Sequence, residues 1–202
     1  KTAIVASGEN FPDALAAGGL AWAGAPAACG NESALPLLLT QKDALPSATS
    51  SALTALGIEQ VILVGGTAAV STAVETALDN VTGVSVVRVS GADRRATAVE
   101  LTKRILGQDA PNGLDWIGGG ARRFFVVRGN DFADALAAGP LAGRDTAPVF
   151  LTLSLADLGA TSATGITTYP NADPFHRGTI VGGDAAVAPV VAVQVGQAIA
   201  NQ

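Results

Sequence analysis

Short apolar runs closed by glycine or threonine alternate along this chain with longer Ala- and Leu-rich stretches. Thr2 to Ser7 is a continuous apolar run ending at Gly8, the pattern of a parallel strand buried on both faces. Asp13 then opens an Ala/Leu-rich helix reaching about Ala23, with the carboxylate placed to cap it or to favour its N-terminal dipole. Leu37 to Thr40 and Val61 to Val64 read as further strands, and Val84 to Val89 as another. Ser47 to Leu56 reads as a helix stopped by Gly57, and Ser71 to Leu78 as a second. Asp93 to Leu106 predicts a helix joining two halves, and the same succession restarts at Arg123. Strand–helix alternation of this length implies parallel strands with right-handed crossovers, so the expected fold is two open α/β sandwiches in tandem.

The restart is a true internal repeat. Between Gly8 and Ala21, ten of fourteen positions match the segment from Gly129 to Ala142 without a gap. Pro36-Leu37-Leu38-Leu39-Thr40 corresponds to Pro148-Val149-Phe150-Leu151-Thr152, and Val64-Gly65-Gly66-Thr67-Ala68-Ala69-Val70 to Val181-Gly182-Gly183-Asp184-Ala185-Ala186-Val187. The offset between copies runs 121, then 112, then 117. The first change places an insertion around Ala25 to Ala34, which contains Cys29. The second places a longer connection through Thr168 to His176 in the second copy.

Composition narrows the class. Of 202 residues, 49% are hydrophobic, enough for a substantial core made of Ala, Val, Leu and Ile. No apolar stretch approaches the roughly 18 residues needed to cross a bilayer. The chain opens at Lys1 without an initiator Met or a signal peptide, which implies that a preceding segment was removed or lies outside this sequence. One cysteine excludes an internal disulfide and any multi-cysteine metal site. A net charge of −5 argues against nonspecific nucleic-acid binding, yet nine of the twelve Lys and Arg residues fall between Arg88 and Arg144. If these share a face, an acidic chain still presents a local cationic surface.

Four blocks carry a resemblance: Gly-x-x-Phe-x-Asp-Ala-Leu-Ala-Ala-Gly, Pro-Leu-Leu-Leu-Thr, Val-Gly-Gly-Thr-Ala-Ala-Val-Ser, and Arg88-Val89-Ser90-Gly91-Ala92-Asp93-Arg94-Arg95-Ala96-Thr97-Ala98. Together they resemble the cell-wall-binding type 2 repeats of Gram-positive bacterial surface proteins, over nearly the whole chain and in order. The resemblance implies small Rossmann-like modules, with an open parallel sheet and helices on both faces. It implies repeats at residues 1–87 and 88–202, the first lacking its Arg-x-x-Gly-x-x-Arg opening. It also implies anchoring to an anionic cell-wall polysaccharide, an extracellular or cell-wall location, and no catalysis. Family members usually carry three repeats in a pseudo-threefold arrangement. Two copies here imply a homo-oligomer or a further repeat supplied by another chain. The block linked to polymer binding falls on Leu37, Leu38, Leu39 and Thr40, and on Val149, Phe150, Leu151 and Thr152.

Other candidate contacts come from residue chemistry. Asp13 and Asp134 occupy matching positions and serve either as helix N-caps or as polar groups lining the cleft at the strand ends, where open α/β sheets bind ligands. Gly65-Gly66 and Gly182-Gly183 suit either an anion or a tight turn. Arg94, Arg122, Arg123 and Arg128 are candidates for an anionic polymer, because guanidinium pairs bidentately with phosphate or carboxylate. For Arg88 and Arg94 a structural role between the repeats competes with ligand contact.

No Gly-x-Gly-x-x-Gly or phosphate loop is present, so no cofactor is expected. No His pair or acidic cluster has metal-ligand spacing, and no metal is expected. His176 is the only histidine, leaving one possible base for a nucleophile. Two readings of function therefore stand: a polymer-binding anchor, or a self-assembling surface layer, sheath or filament. A sugar- or nucleotide-modifying enzyme rests only on fold analogy.

Overall fold

The computed structural model describes residues 1–23, 34–81, 83–105, 123–168 and 174–202. Strands β1 (Thr2–Ser7), β2 (Leu37–Thr40), β3 (Gln60–Val64) and β4 (Ser85–Val89) form one sheet. Its order is β2-β1-β3-β4, with every pair parallel. Strands β5 (Arg123–Val127), β6 (Val149–Leu151) and β7 (Arg177–Ile180) form a second parallel sheet, ordered β6-β5-β7. Helices α1 (Phe11–Ala23), α2 (Ser47–Leu56) and α3 (Thr72–Asp79) belong with the first sheet. Helices α5 (Ala133–Arg144), α6 (Ala160–Thr168) and α7 (Pro189–Ala200) belong with the second, and α4 (Arg94–Ile105) follows β4.

The strands are apolar on both faces because both faces are covered. Ala3, Val5, Val61 and Leu63 face α2 and α3, packing against Leu53, Val74 and Leu78. Ile4, Ala6, Ile62 and Val64 point the other way, into a core they share with Phe125 and Val127 of the second sheet. Helices α1 and α5 fill that shared core, while α6 and α7 close the far side over Phe124, Val126 and Phe150. The molecule is thus a stack of five layers with one common middle layer.

The local signals act as their chemistry requires. Gly57 ends α2 in the left-handed region (φ 63°), and the next amide, of Ile58, donates back to the Leu53 carbonyl at 3.0 Å. The Asp93 carboxylate accepts the Arg95 and Ala96 amides at 2.9 Å each, capping α4. Buried hydroxyls pin helix to strand in the same way in both halves. Thr49 donates to the Leu39 carbonyl at 2.6 Å, and Ser162 to the Leu151 carbonyl at 2.7 Å. One expectation needs correction. Helix α1 starts at Phe11, so Asp13 lies inside the first turn, and Asp134 likewise follows Ala133. The dipole argument survives and the N-cap role does not.

The two halves meet along α1 and α5 in register. Phe11 packs edge to face on Phe132, with ring centroids 5.7 Å apart. A Cβ on Gly18 would stand 3.3 Å from Gly139 Cα, and one on Gly143 2.4 Å from Trp22 Cβ. Each contact joins equivalent positions of the repeat, so the helices run parallel and close. The wider packing is head to tail: α1 also reaches β6, and α4 straddles the β6 edge. From α4, Ala98 and Leu101 enter the shared core while Val99 joins Phe150 in the outer one.

Candidate functional site

Each sheet has a switch point where the chain turns from one side to the other: between β1 and β3 in the first, between β5 and β7 in the second. Ligand clefts of open α/β sheets lie there, beyond the carboxyl ends of the strands. At the first switch point a cleft of about 230 Å³ is lined by residues that include Asn10, Asp13, Gly66, Gly91, Arg94 and Thr97.

Asp13 is buried, and among the described residues its Oδ1 has no hydrogen-bond partner. Its other oxygen faces Gly65, where an added Cβ would lie 2.8 Å away; Gly65 has φ 115°, open only to glycine. The second half repeats the device: Gly182, at φ 128°, would place a Cβ 2.6 Å from Asp134 Oδ2. Burial pushes the Asp13 carboxyl above its ordinary 3.8, and the Arg94 guanidinium and the Thr97 hydroxyl oppose that without cancelling it. An acid raised on folding loses native stability as pH climbs from its unfolded value through its folded one. Asp13→Asn removes that titration. Urea unfolding from pH 3.5 to 7 should therefore show the variant gaining on the parent as pH rises; a constant difference would leave Asp13 without a raised folded value.

The Arg-x-x-Gly-x-x-Arg segment builds the wall of this cleft. Arg88 Nη1 donates to the carbonyls of Gly65 (2.7 Å) and Val70 (2.9 Å), and its Nη2 pairs with Glu75 at 2.9 Å. Gly91 passes against the first turn of α4, and its amide donates to Thr97 Oγ1 at 3.1 Å. Arg94 Nη1 donates to the Gly129 carbonyl of the second half at 2.8 Å. Arg95 pairs with Asp93. Arg88 and Arg94 thus both hold backbone, and Arg94 ties the wall of the first cleft to the end of β5.

The other candidates divide. Arg128 stands at the carboxyl end of β5, where the first half has Ser7, with Nη1 3.4 Å from the Ala185 carbonyl. Arg123 begins β5 at the opposite end of the sheet and pairs with Asp145 at 3.0 Å, so the structure does not bring it to either cleft. Arg122 and Cys29 lie outside the described residues. Leu37 and Leu38 are half-buried, Leu39 is 51% exposed and Thr40 is buried. Val149, Phe150, Leu151 and Thr152 are all buried, so their side chains meet the core. Phe11 and Phe132 were not singled out from sequence, although both copies carry the phenylalanine. They are 38% and 55% exposed at the cleft ends of α1 and α5. Leu15, Trp22, Leu39, Leu136 and their neighbours line an apolar groove of about 500 Å³ along the α1–α5 seam.

His176 is exposed just ahead of β7, at the end of the sheet away from both clefts. Among the described residues no group of three or more His, Cys, Asp or Glu is placed to hold a metal ion, and no helix is long and apolar enough to cross a membrane.

Comparison with known proteins agrees with this arrangement. The N-acetylmuramoyl-L-alanine amidase LytC of Bacillus subtilis (strain 168) is 28% identical over 182 residues, covering 90% of this chain and 31% of that protein. The amidase enhancer of the same organism is 28% identical over 117 residues, covering 58% of this chain and 14% of that protein. The chain therefore spans about a third or less of the length of these relatives. Among solved structures, Cwp6 from Clostridium difficile aligns with a TM-score of 0.77 at 21% identity, over 97% of this chain and 27% of that one. Cwp8 from the same organism aligns at 0.71 and 19%, over 100% and 30%. Both show the fold. Residues 1–75 and 88–192 match the family model of cell wall binding domain 2, and the chain belongs to that family (CWB2).

Proposed function

We propose that this chain is a non-catalytic, extracellular anchor that holds protein at the cell wall by binding an anionic secondary wall polymer. The carrying observation is the cleft of the first half together with the repeated pairing at the strand ends, Asp13 against Gly65 and Asp134 against Gly182, and the exposed Phe11–Phe132 pair. Carboxylates accept hydrogen bonds from sugar hydroxyls, aromatic faces stack on sugar rings, and Arg94 and Arg128 supply charge for phosphate or carboxylate groups. In this reading Leu37 and Leu39 contribute through the apolar groove, while the buried Val149 to Thr152 support the second sheet from within. The packing of α4 on β6 and α6 supports a second repeat that takes in α4, although a boundary between residues 87 and 88 falls inside β4 of the first sheet. The remoteness of His176 from Ser7 and from both carboxylates favours binding over catalysis.

Binding of the purified chain to Gram-positive walls, before and after extraction of their anionic polymers, tests the proposal. Binding should disappear with the polymer and weaken with salt. Arg128→Ala should lower affinity about tenfold, the scale of a lost charge-assisted hydrogen bond. Undiminished binding to extracted walls would sink the reading.

A second reading has its own support. Head-to-tail contacts leave one face of each partner unused, and the apolar groove along α1 and α5 is such a face. It suits a homo-oligomer or a further repeat from another chain, and non-closing contacts of this type build filaments. Mass photometry without polymer distinguishes the two: large assemblies indifferent to polymer favour the structural role.

A further inference from the structure

The turn from β3 to α3 forms one wall of the first cleft through Gly66, Ala68 and Ala69. Its two ends are tied down. The Gly65 amide donates to the Val89 carbonyl at 2.9 Å, and Arg88 spans the carbonyls of Gly65 and Val70. Ala69 and Val70 donate to the Gly66 carbonyl at 2.9 and 3.0 Å. Between these anchors the amides of Gly66, Thr67 and Ala68 donate to nothing among the described residues. Strand β4 and helix α4 already close the cleft, whose lining falls entirely within the first half and the start of α4.

An acceptor belongs to the same cleft. Asp13 lines it, is only 8% exposed, and has an oxygen without a hydrogen-bond partner. Charge is balanced there, because Arg94 offsets Asp13 and Arg95 pairs with Asp93. An anion brought beside a buried, unbonded carboxylate would be repelled and would also lose its water. A hydroxyl suits both walls: its hydrogen goes to the carboxylate, and its oxygen accepts from an amide. The exposed Asn10 adds a side-chain amide, which can do either. At about 230 Å³ the cleft has the size of one sugar ring.

We infer that the first cleft is a subsite for one uncharged sugar unit of the wall polymer, held through its hydroxyls. Asp13 accepts from one hydroxyl, and the amides of Gly66, Thr67 and Ala68 donate to the sugar oxygens. Phosphate or carboxylate groups are turned away from the floor and lie at the rim, where Arg94 is half-buried. The inference deepens the anchor reading and rests on it for the choice of a sugar.

The test is residue-resolved NMR of the whole chain, titrated with glucose, galactose, mannose and N-acetylglucosamine, and in parallel with glucuronic acid and inorganic phosphate. At millimolar concentrations at least one neutral sugar should shift the amide signals of Gly66, Thr67 and Ala68, and the two anions should leave them unmoved. Asp13→Asn, which keeps the shape and alters the acceptor, should weaken the sugar about tenfold. Gly66→Ala should weaken it about fivefold without unfolding the chain. A Cβ there meets nothing nearer than the Gly91 carbonyl oxygen at 4.0 Å, so it stands in the cleft. Amides unmoved by every neutral sugar would overturn the inference, as would larger shifts with phosphate or glucuronic acid. Wall binding is measured separately. A chain that binds walls while its cleft ignores the sugars keeps the anchor reading and loses this one; sugar shifts without wall binding do the reverse.

Discussion

Replacing Leu151 by Ala should cost about 3–4 kcal/mol of stability, whereas the same change at Leu39 should cost about 1 kcal/mol or less. The two leucines occupy one position of the repeat, on corresponding strands that pair in parallel with β1 and β5. Leu151 is 1% exposed and Leu39 is 51% exposed. The difference comes from α4. It lies across the β6 edge, sending Ala98 and Leu101 into the shared core beside Leu151, while among the described residues no helix does the same for β2. Removing a buried leucine leaves a cavity bounded by side chains that only partly relax; removing an exposed one does not. Urea denaturation of both variants, with unchanged dependence on denaturant, measures the contrast directly. Equal losses would mean that α4 does not protect its strand as the structure has it.

Gly91→Ala should be at least as damaging, by about 3 kcal/mol or more. A Cβ there would lie 2.3 Å from Ala96 Cβ, 2.4 Å from the Ala96 carbonyl carbon and 2.6 Å from the Thr97 nitrogen. Two of those atoms are backbone in the first turn of α4, so relief requires α4 to move. Movement would break the Gly91–Thr97 hydrogen bond and draw Arg94 away from the Gly129 carbonyl. The variant should therefore loosen the joint between the halves as well as the cleft wall. Gly196→Ala supplies the control. That glycine is exposed inside α7 with nothing within 4 Å of a built Cβ, so alanine should stabilise by about 0.5–1 kcal/mol. Thermal unfolding of the pair should move in opposite directions. A neutral Gly91→Ala would contradict the packing of this loop on α4.

The contrast between these glycines shows what pattern alone conveys. Periodicity located the strands and helices closely: Thr2–Ser7, Leu37–Thr40 and Ser47–Leu56 stand where the apolar runs and Gly57 place them. Those features are local, and their physics is written in adjacent residues. The start of α1 was misread by two positions, although Pro12 in the first turn was the available signal. Arg123 and Arg128 look like neighbours in sequence, yet a strand rises about 3.3 Å per residue, so they stand at opposite ends of β5. Burial of Val149 to Thr152 depends on α4, some fifty residues earlier in the chain, and no local rule reports it. The cleft is intermediate. Its aspartates were legible because both copies retain them, whereas the exposed Phe11–Phe132 contact appears only once the two copies are set side by side.

The common middle layer also governs how the molecule comes apart. Neither half owns the core between the sheets: Ile4 and Ile62 from one side and Phe125 and Val127 from the other enclose α1 and α5 together. Melting one half strips the apolar face from its neighbour, so the halves should unfold in a single cooperative step instead of one after the other. Under a mechanical load such a chain gives way all at once, with no half-unravelled stage to lengthen it gradually.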